Sequence, residues 1–386
     1  MILSIHNSER GFSLVELTVV LLLITLLASV AVRETSELGF QARYEQTRER
    51  LDMIRQAILG NPRQIINGQQ AVSGFVADMG RLPNSLRELI QFASYCTDNT
   101  KFTKADCEIT SGAVWLGRKS YGFCSLSYPN ETQCVANAGL WTHLFYGGWS
   151  GPYLNISGNP VDNDAFTDGW GNVANDNNYG WNFINAPLTL TLQSKGKNQT
   201  LNPADTDYDE DYPISQPTIT AVDWLVEVSL ITVNMRSNPS SISTTGTCSD
   251  KTQTNKTACL DNSKIWTESS TSTTQNICLN LYYRFDNQIR RIESASTTIS
   301  EDGQVHSISF SDLGSCSDAL YNNKAACEIN TKTWASPLRI PIGQIAIAIH
   351  RHDGDCDAAN PLYPADRKNP IQIDFHPHAT LPVINW

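Results

Sequence analysis

The chain of 386 residues holds material for about two folded units of ordinary size. Its formal net charge of −11 argues against nucleic acid as a partner, because binding a phosphate backbone needs a basic face. No Gly-x-Ser-x-Gly, phosphate-cradling glycine loop or His-Glu-x-x-His sequence occurs, so the chain carries no enzyme signature.

At the amino terminus, Gly11-Phe12-Ser13-Leu14-Val15-Glu16 opens an almost uninterrupted apolar run that ends at Val32. Residues 12–32 number 21, enough for a helix to cross roughly 30 Å of hydrocarbon. Glu16 is the one ionisable side chain in that run, and a carboxylate in such a place normally marks a site with a partner. A secretory signal peptide fits less well: the leader has few positive charges, and no small-residue cleavage site follows the apolar stretch promptly. Gly11, Phe12 and Glu16 in this spacing resemble a type IV prepilin. The resemblance implies a leader of residues 1–11, removed after Gly11 by prepilin peptidase, and a new amino-terminal Phe12 that is N-methylated. It implies that Glu16 of one subunit meets the Phe12 amine of another, so that identical or homologous pilin subunits form a filament on an inner-membrane assembly platform. The location implied is a single-pass inner-membrane protein before assembly and a periplasmic or extracellular filament afterwards. Arg33 stands where many members of the family carry proline.

Beyond Val32 the chain becomes charged, but Leu51, Ile54, Ile58 and Leu59 keep helical spacing, so the stem helix should run from the membrane to about Leu59. Gly60-Asn61-Pro62 is a stop signal, giving a stem unit of residues 12–60. Three later phrases resemble the major pseudopilin of type II secretion: Gly80-Arg81-Leu82-Pro83, then Trp149-Ser150-Gly151-Pro152-Tyr153-Leu154, then Asp168-Gly169-Trp170-Gly171-Asn172. Gly169 stands where that family usually has proline. The resemblance implies a small α/β domain over 61–215, in which loop oxygens hold calcium. The residues it offers are Asp205, Asp207, Asp209, Glu210 and Asp211, with Asn198 nearby. Alternating acids can point several oxygens at one hard cation, although acidic runs are commonly solvated loops. A second oxygen-rich region, Asp162-Asn163-Asp164 with Asp168, or Asn172, Asn175, Asp176, Asn177 and Asn178, could bind a cation too, although Asn-rich loops more often cap turns.

Ten cysteines on a chain with an apolar stem point to an oxidising compartment. Cys96 and Cys107, Cys124 and Cys134, Cys248 and Cys259, and Cys316 and Cys327 form local pairs with ten, nine, ten and ten residues between them. Each pair is followed seven or eight residues later by a tryptophan: Trp115, Trp141, Trp266 and Trp334. The last two copies also share Cys-Ser-Asp, Asn-Lys and Ala-Cys, so this is an internal repeat of disulfide-closed loops. In the loop-entropy account, closing about a dozen residues stabilises by roughly 3 kcal/mol. Cys278 and Cys356 pair by elimination. Zinc is the competing use of these cysteines, but the short Cys-x-x-Cys spacing is absent.

From residue 216 the sequence reads as strands, at 224–230, 277–285, 289–292, 305–310 and 340–349, with tight hairpin turns expected at Asp286-Asn287 and Asp302-Gly303. The expected architecture is α+β: a long helix on a small antiparallel sheet, followed by an antiparallel β-sandwich over 216–386. Two further disulfide loops ride on the sandwich. His350 and His352 share one strand face, and with Asp353, Asp355, His376 and His378 they are the residues a membrane-tethered metallohydrolase would use. The primary expectation is a structural filament subunit; the alternative is a minor or adhesive pilin that binds a surface partner.

Overall fold

A computed structural model describes the chain except for residues 1–12, 62–63, 67–68, 71, 92–94, 99, 102, 127, 129, 157, 202–206, 238–242, 272, 355, 357–359, 361, 364–369, 377–382 and 386. The fold is α+β. One helix, Leu14–Leu59, is 46 residues long, which at 1.5 Å per residue is roughly 69 Å. Ser13 caps its start, the side-chain oxygen accepting from the Glu16 N–H at 3.2 Å. The helix passes the Arg33 position without interruption. Its first half, as far as Val32, lies exposed, whereas Leu51, Ile54, Ala57 and Ile58 of its second half are buried.

Those four side chains begin a core that runs without a break from the 61–215 region into 216–386. It joins Phe75, Met79, Leu86 and Leu89 to Leu190 and Leu192, and then to Ile277, Leu279, Ile345 and Ile347. The largest sheet in the second region has five strands. Its centre is Thr274–Phe285, flanked on one side by Gln288–Glu293 and Thr297–Ser300 and on the other by Gly343–Arg351, which pairs in turn with Ile371–Phe375. Strand alternation sends Ile277, Leu279, Leu281 and Tyr283 into the main core. Tyr282, Ala346 and Ala348 face the other way, where Tyr121, Leu144 and Phe145 cover them. Those covering residues belong to the hairpin Lys119–Cys124 and Trp141–Gly147, so the first region caps a sheet of the second.

The same junction is tied by Arg284, only 4% exposed, whose guanidinium donates to the Ala77 carbonyl and lies 5.3 Å over the Tyr121 ring. Asp286 and Asn287 both have positive φ in the hairpin turn, as its sequence predicts, and their N–H groups donate to Gly80 and Met79 at 3.1 Å. A three-stranded sheet of Val305–Phe310, Ile231–Arg236 and Ile384–Asn385 adds Ile231, Val233, Ile308 and Phe310 to the main core.

Two local expectations need correction. The segment 340–349 is two strands: Leu338–Pro341 pairs with Leu225–Val228, and Gly343–Arg351 then joins the five-stranded sheet. The chain changes sheets at Gly343, whose φ of +144° suits a residue without a side chain. Asp302-Gly303 is a turn but not a hairpin, because Thr297–Ser300 and Val305–Phe310 lie in different sheets. What holds it is the Asp302 carboxylate, which accepts from the Gln304 N–H at 2.9 Å, the His306 ring at 2.7 Å and the Ser237 hydroxyl at 3.0 Å.

Each of the four local disulfides, Cys96–Cys107, Cys124–Cys134, Cys248–Cys259 and Cys316–Cys327, closes the same small module. The first cysteine pairs across an antiparallel bridge with the module's tryptophan. The residue after it, Thr97, Ser125, Ser249 or Ser317, accepts through its hydroxyl from the N–H just before that tryptophan, at 2.8 to 3.1 Å. The second cysteine sits buried in a six-residue helix capped by Thr103, Asn130, Asn255 or Asn323. In three copies the indole lies against a glycine two residues before the first cysteine. A Cβ on Gly122, Gly246 or Gly314 would sit 2.7, 2.1 or 2.4 Å from the ring. Cys278–Cys356 is the long-range bridge, joining residues 78 apart in sequence.

The Asp168–Asn172 phrase fastens the stem. Asp168 is buried and accepts from the backbone of Trp170 and Asn172 and from the Ser194 hydroxyl. The Gly169 N–H donates to Thr47 Oγ1 on the stem helix at 3.0 Å, and a Cβ there would lie 2.0 Å from the Arg43 carbonyl. Both facts explain glycine in place of proline, which has no N–H to give. Gly169→Ala should therefore lower stability by roughly 1–3 kcal/mol. Gly39→Ala, in the same helix with nothing within 4 Å of the added methyl, should leave stability unchanged or raise it; thermal melts of the two variants check this. Hydrogen bonding pulls Asp302 from 3.8 down to about 2, so the stability it contributes is present above pH 4 and is lost as pH falls through 2. Asp302→Asn should flatten the acid limb of a pH–stability curve in that window.

Candidate assembly stem

Residues Leu14–Leu59 contain the one helix, among the described residues, that is long and apolar enough to cross a membrane. Along its first half the side chains of Leu14, Val15, Leu22, Leu27 and Val32 are more than half exposed, with no core of this chain against them. Glu16 lies in the first turn, where a carboxylate suits the positive end of the helix dipole. Gly11 and Phe12 lie outside the described residues.

Past the apolar segment the helix divides into two faces. Phe40 and Tyr44 pack on Trp170, Tyr208 and Tyr212 at ring distances of 5.1 to 6.2 Å, and the Lys197 ammonium sits 4.2 Å from the Phe40 ring. Farther along, Arg50 donates to the Thr167 and Asp168 carbonyls, and Arg55 to that of Thr218 at 3.1 Å. The opposite face presents Glu45, Arg48, Glu49 and Asp52 to solvent, with Glu45 and Arg48 paired at 3.3 Å. One side of the stem is therefore fixed to the globular part, and the other offers both signs of charge.

Of the residues proposed for calcium, Asp205 lies outside the described residues. Asp207–Asp209 form a single 3-10 turn; Asp209 and Glu210 are half-buried and Asp211 is buried. The turn is tied down by the Lys197 N–H, which donates to the Tyr208 carbonyl at 2.8 Å, while the Asn198 side chain accepts from the Thr200 N–H. Among the described residues no three His, Cys, Asp or Glu side chains converge as a metal-binding group. In the Asn-rich region, Asp176 accepts from the Asn178 N–H, which is turn capping, and the Asn178 side chain accepts from the Leu86 N–H, which ties the loop to the start of the helix Arg87–Ile90.

Among the described residues the histidines do not converge on a metal-binding group. His350 is buried, its Nδ1 2.7 Å from the Asn360 carbonyl, and the His352 N–H donates to Asn276. Phe375 is opposite Gly343 in the ladder, seven residue steps from His350, or roughly 23 Å, and His376 follows beyond it at the far end of the strand. His378 and Asp355 lie outside the described residues.

Sequence reasoning missed the glycines under the module tryptophans, although Gly-x-Cys at three of the four first cysteines was a legible sign. It also missed Arg284, for which the sequence offers no sign, because its value lies in Ala77 and Tyr121 on distant segments.

Comparison with known families matches residues 6–32 to the prokaryotic N-terminal methylation motif. No curated protein and no solved structure matches the chain. The matched span takes in Gly11, Phe12, Glu16 and the whole exposed apolar run, so the chain opens with a type IV pilin-like segment of the kind that prepilin peptidase processes.

Proposed function

We propose that the protein is a structural, non-catalytic subunit of a type IV pilus-like or type II secretion pseudopilus filament. The observation that carries this reading is the exposed apolar half of the stem, which bears a single carboxylate at its start. Left in water, such a surface drives association, at roughly 25 cal/mol per Å² of apolar area covered. In the inner membrane, lipid covers it; in a filament, neighbouring stems do. Glu16 then supplies register. Buried among apolar stems, its charge needs a partner, and the amine of Phe12 on the next subunit is released by cleavage after Gly11. The mixed-charge face of the stem's second half continues the same contact outward, and the assembly platform of the inner membrane acts on the processed subunit.

Between the two kinds of filament, the resemblance of the Gly80, Trp149 and Asp168 phrases to the major pseudopilin favours the pseudopilus. A second reading, a minor or adhesive subunit, is favoured by the disulfide modules, which carry Ile265, Leu320 and Ile329 at their surfaces 73, 84 and 80% exposed.

Glu16→Ala should leave the protein processed and membrane-bound while lowering its recovery in sheared filaments by roughly tenfold or more, the scale of an unpaired buried charge. Unchanged recovery would overturn the pairing. Intact mass spectrometry without reduction, on sheared and membrane fractions, should find a chain starting at N-methyl-Phe12 with its local disulfides closed; an uncleaved Met1 terminus would defeat the filament reading.

A further inference from the structure

A cleft of about 480 Å³ opens where the fourth disulfide module leans over the edge of the five-stranded sheet. One wall is Ile289, Arg290, Arg291 and Ile292, four consecutive residues of Gln288–Glu293, the outermost strand of that sheet. The other wall comes from the module, with Leu320 and Tyr321. Leu188, Leu225 and Phe285 add apolar lining, and Arg339 adds a third guanidinium. The volume is that of an ordinary ligand pocket.

Three arginines in one cleft stand out in a chain of net charge −11. Arg291 shares a carboxylate with Glu293 at 2.7 Å, and Arg339 with Glu227 at 3.0 Å. Arg290 has no ion pair among the described residues. It stands opposite Tyr283 in the ladder, half-buried, so a carboxylate reaching it is partly shielded from water and can be held by a planar fork of donors. Leu188, Leu320 and Ile289 remain at least a third exposed, which leaves an apolar surface beside the guanidinium.

We propose that this cleft binds an acidic peptide segment of a partner protein, one carboxylate on Arg290 and a neighbouring aliphatic or aromatic side chain against Leu188, Leu320 and Phe285. Charge complementarity selects the acid. The exposed apolar lining is aliphatic, Leu188, Ile289 and Leu320, which selects a peptide over an acidic saccharide, because a saccharide would want a flat, exposed aromatic platform. The edge strand adds direction: the Glu293 N–H turns outward to the Asn322 carbonyl at 2.8 Å, and strand alternation turns the backbone of Ile289 to the same edge, where an extended chain can run alongside. This binding does not depend on the stem or on filament assembly.

The test is fluorescence anisotropy with the full-length protein in detergent micelles. The probe is a fluorescein-labelled decapeptide of alternating glutamate and valine, compared with its lysine–valine counterpart and with an oligoglucuronate. Saturable binding of the acidic peptide alone is expected, weakening with salt. Arg290→Glu should weaken it roughly tenfold or more, with Arg290→Lys intermediate. Leu320→Ser, at an exposed position that folding does not need, should weaken it several-fold with the circular dichroism unchanged. The proposal is overturned if the acidic peptide does not bind, if Arg290→Glu binds it equally, or if the oligoglucuronate binds in its place.

Discussion

Everything in this molecule is arranged around an apolar helical surface that the protein itself does not cover. A helix of 46 residues whose first half is exposed and whose second half is built into a core has two solvents to satisfy along one axis. The division is abrupt because the sequence makes it so. Up to Val32 apolar residues stand on every face; beyond it the buried ones, Leu51, Ile54, Ala57 and Ile58, form a stripe, and that stripe is what a globular core can use. Glu16 is the one charge in that 21-residue run, and it sits at its amino-terminal end.

A lever of this length is useful only if the globular part holds it firmly. The grip is spread over three kinds of contact: apolar burial at Ile54 and Ile58, an aromatic layer at Phe40 and Tyr44, and close backbone approach at Gly169. The last is the most demanding, because it requires a residue with an N–H and without a side chain. The Asp168 loop therefore touches the stem directly, and the Asp168 to Ser194 bond joins it to the end of the strand Leu190–Gln193.

Much of this was legible in the sequence because it is local. The apolar run, the Gly60 stop, the Asp286-Asn287 turn and the cysteine–tryptophan spacing each depend on residues close together in the chain. What could not be read depends on distant partners. Nothing near Ile340 says that the chain will change sheets at Gly343, and nothing near Tyr121 says that its hairpin will cover Tyr282 and Ala346. The turn at Asp302 was visible while its meaning was not, because the same turn chemistry serves a hairpin and a crossing between sheets. At the stem, Glu16 was legible from charge alone, whereas the contribution of Arg50 required knowing where Thr167 would lie.

The modules show how a surface can be elaborated without disturbing that frame. A six-residue helix is far below the length that holds together in water. Here each one is closed by a disulfide, a side-chain cap and a hydroxyl that locks the strand before the tryptophan, all within a single short segment. In three copies a glycine lets the tryptophan lie close on the opposite strand. Such a unit brings its own stability, so the host sheet has only to offer two adjacent chain ends. It recurs at four connections, and the fourth copy, leaning over a sheet edge lined with arginines, forms one wall of a cleft there. Repetition lowers the stability required for each new surface loop, and position beside a different sheet edge is what makes one copy different from the next.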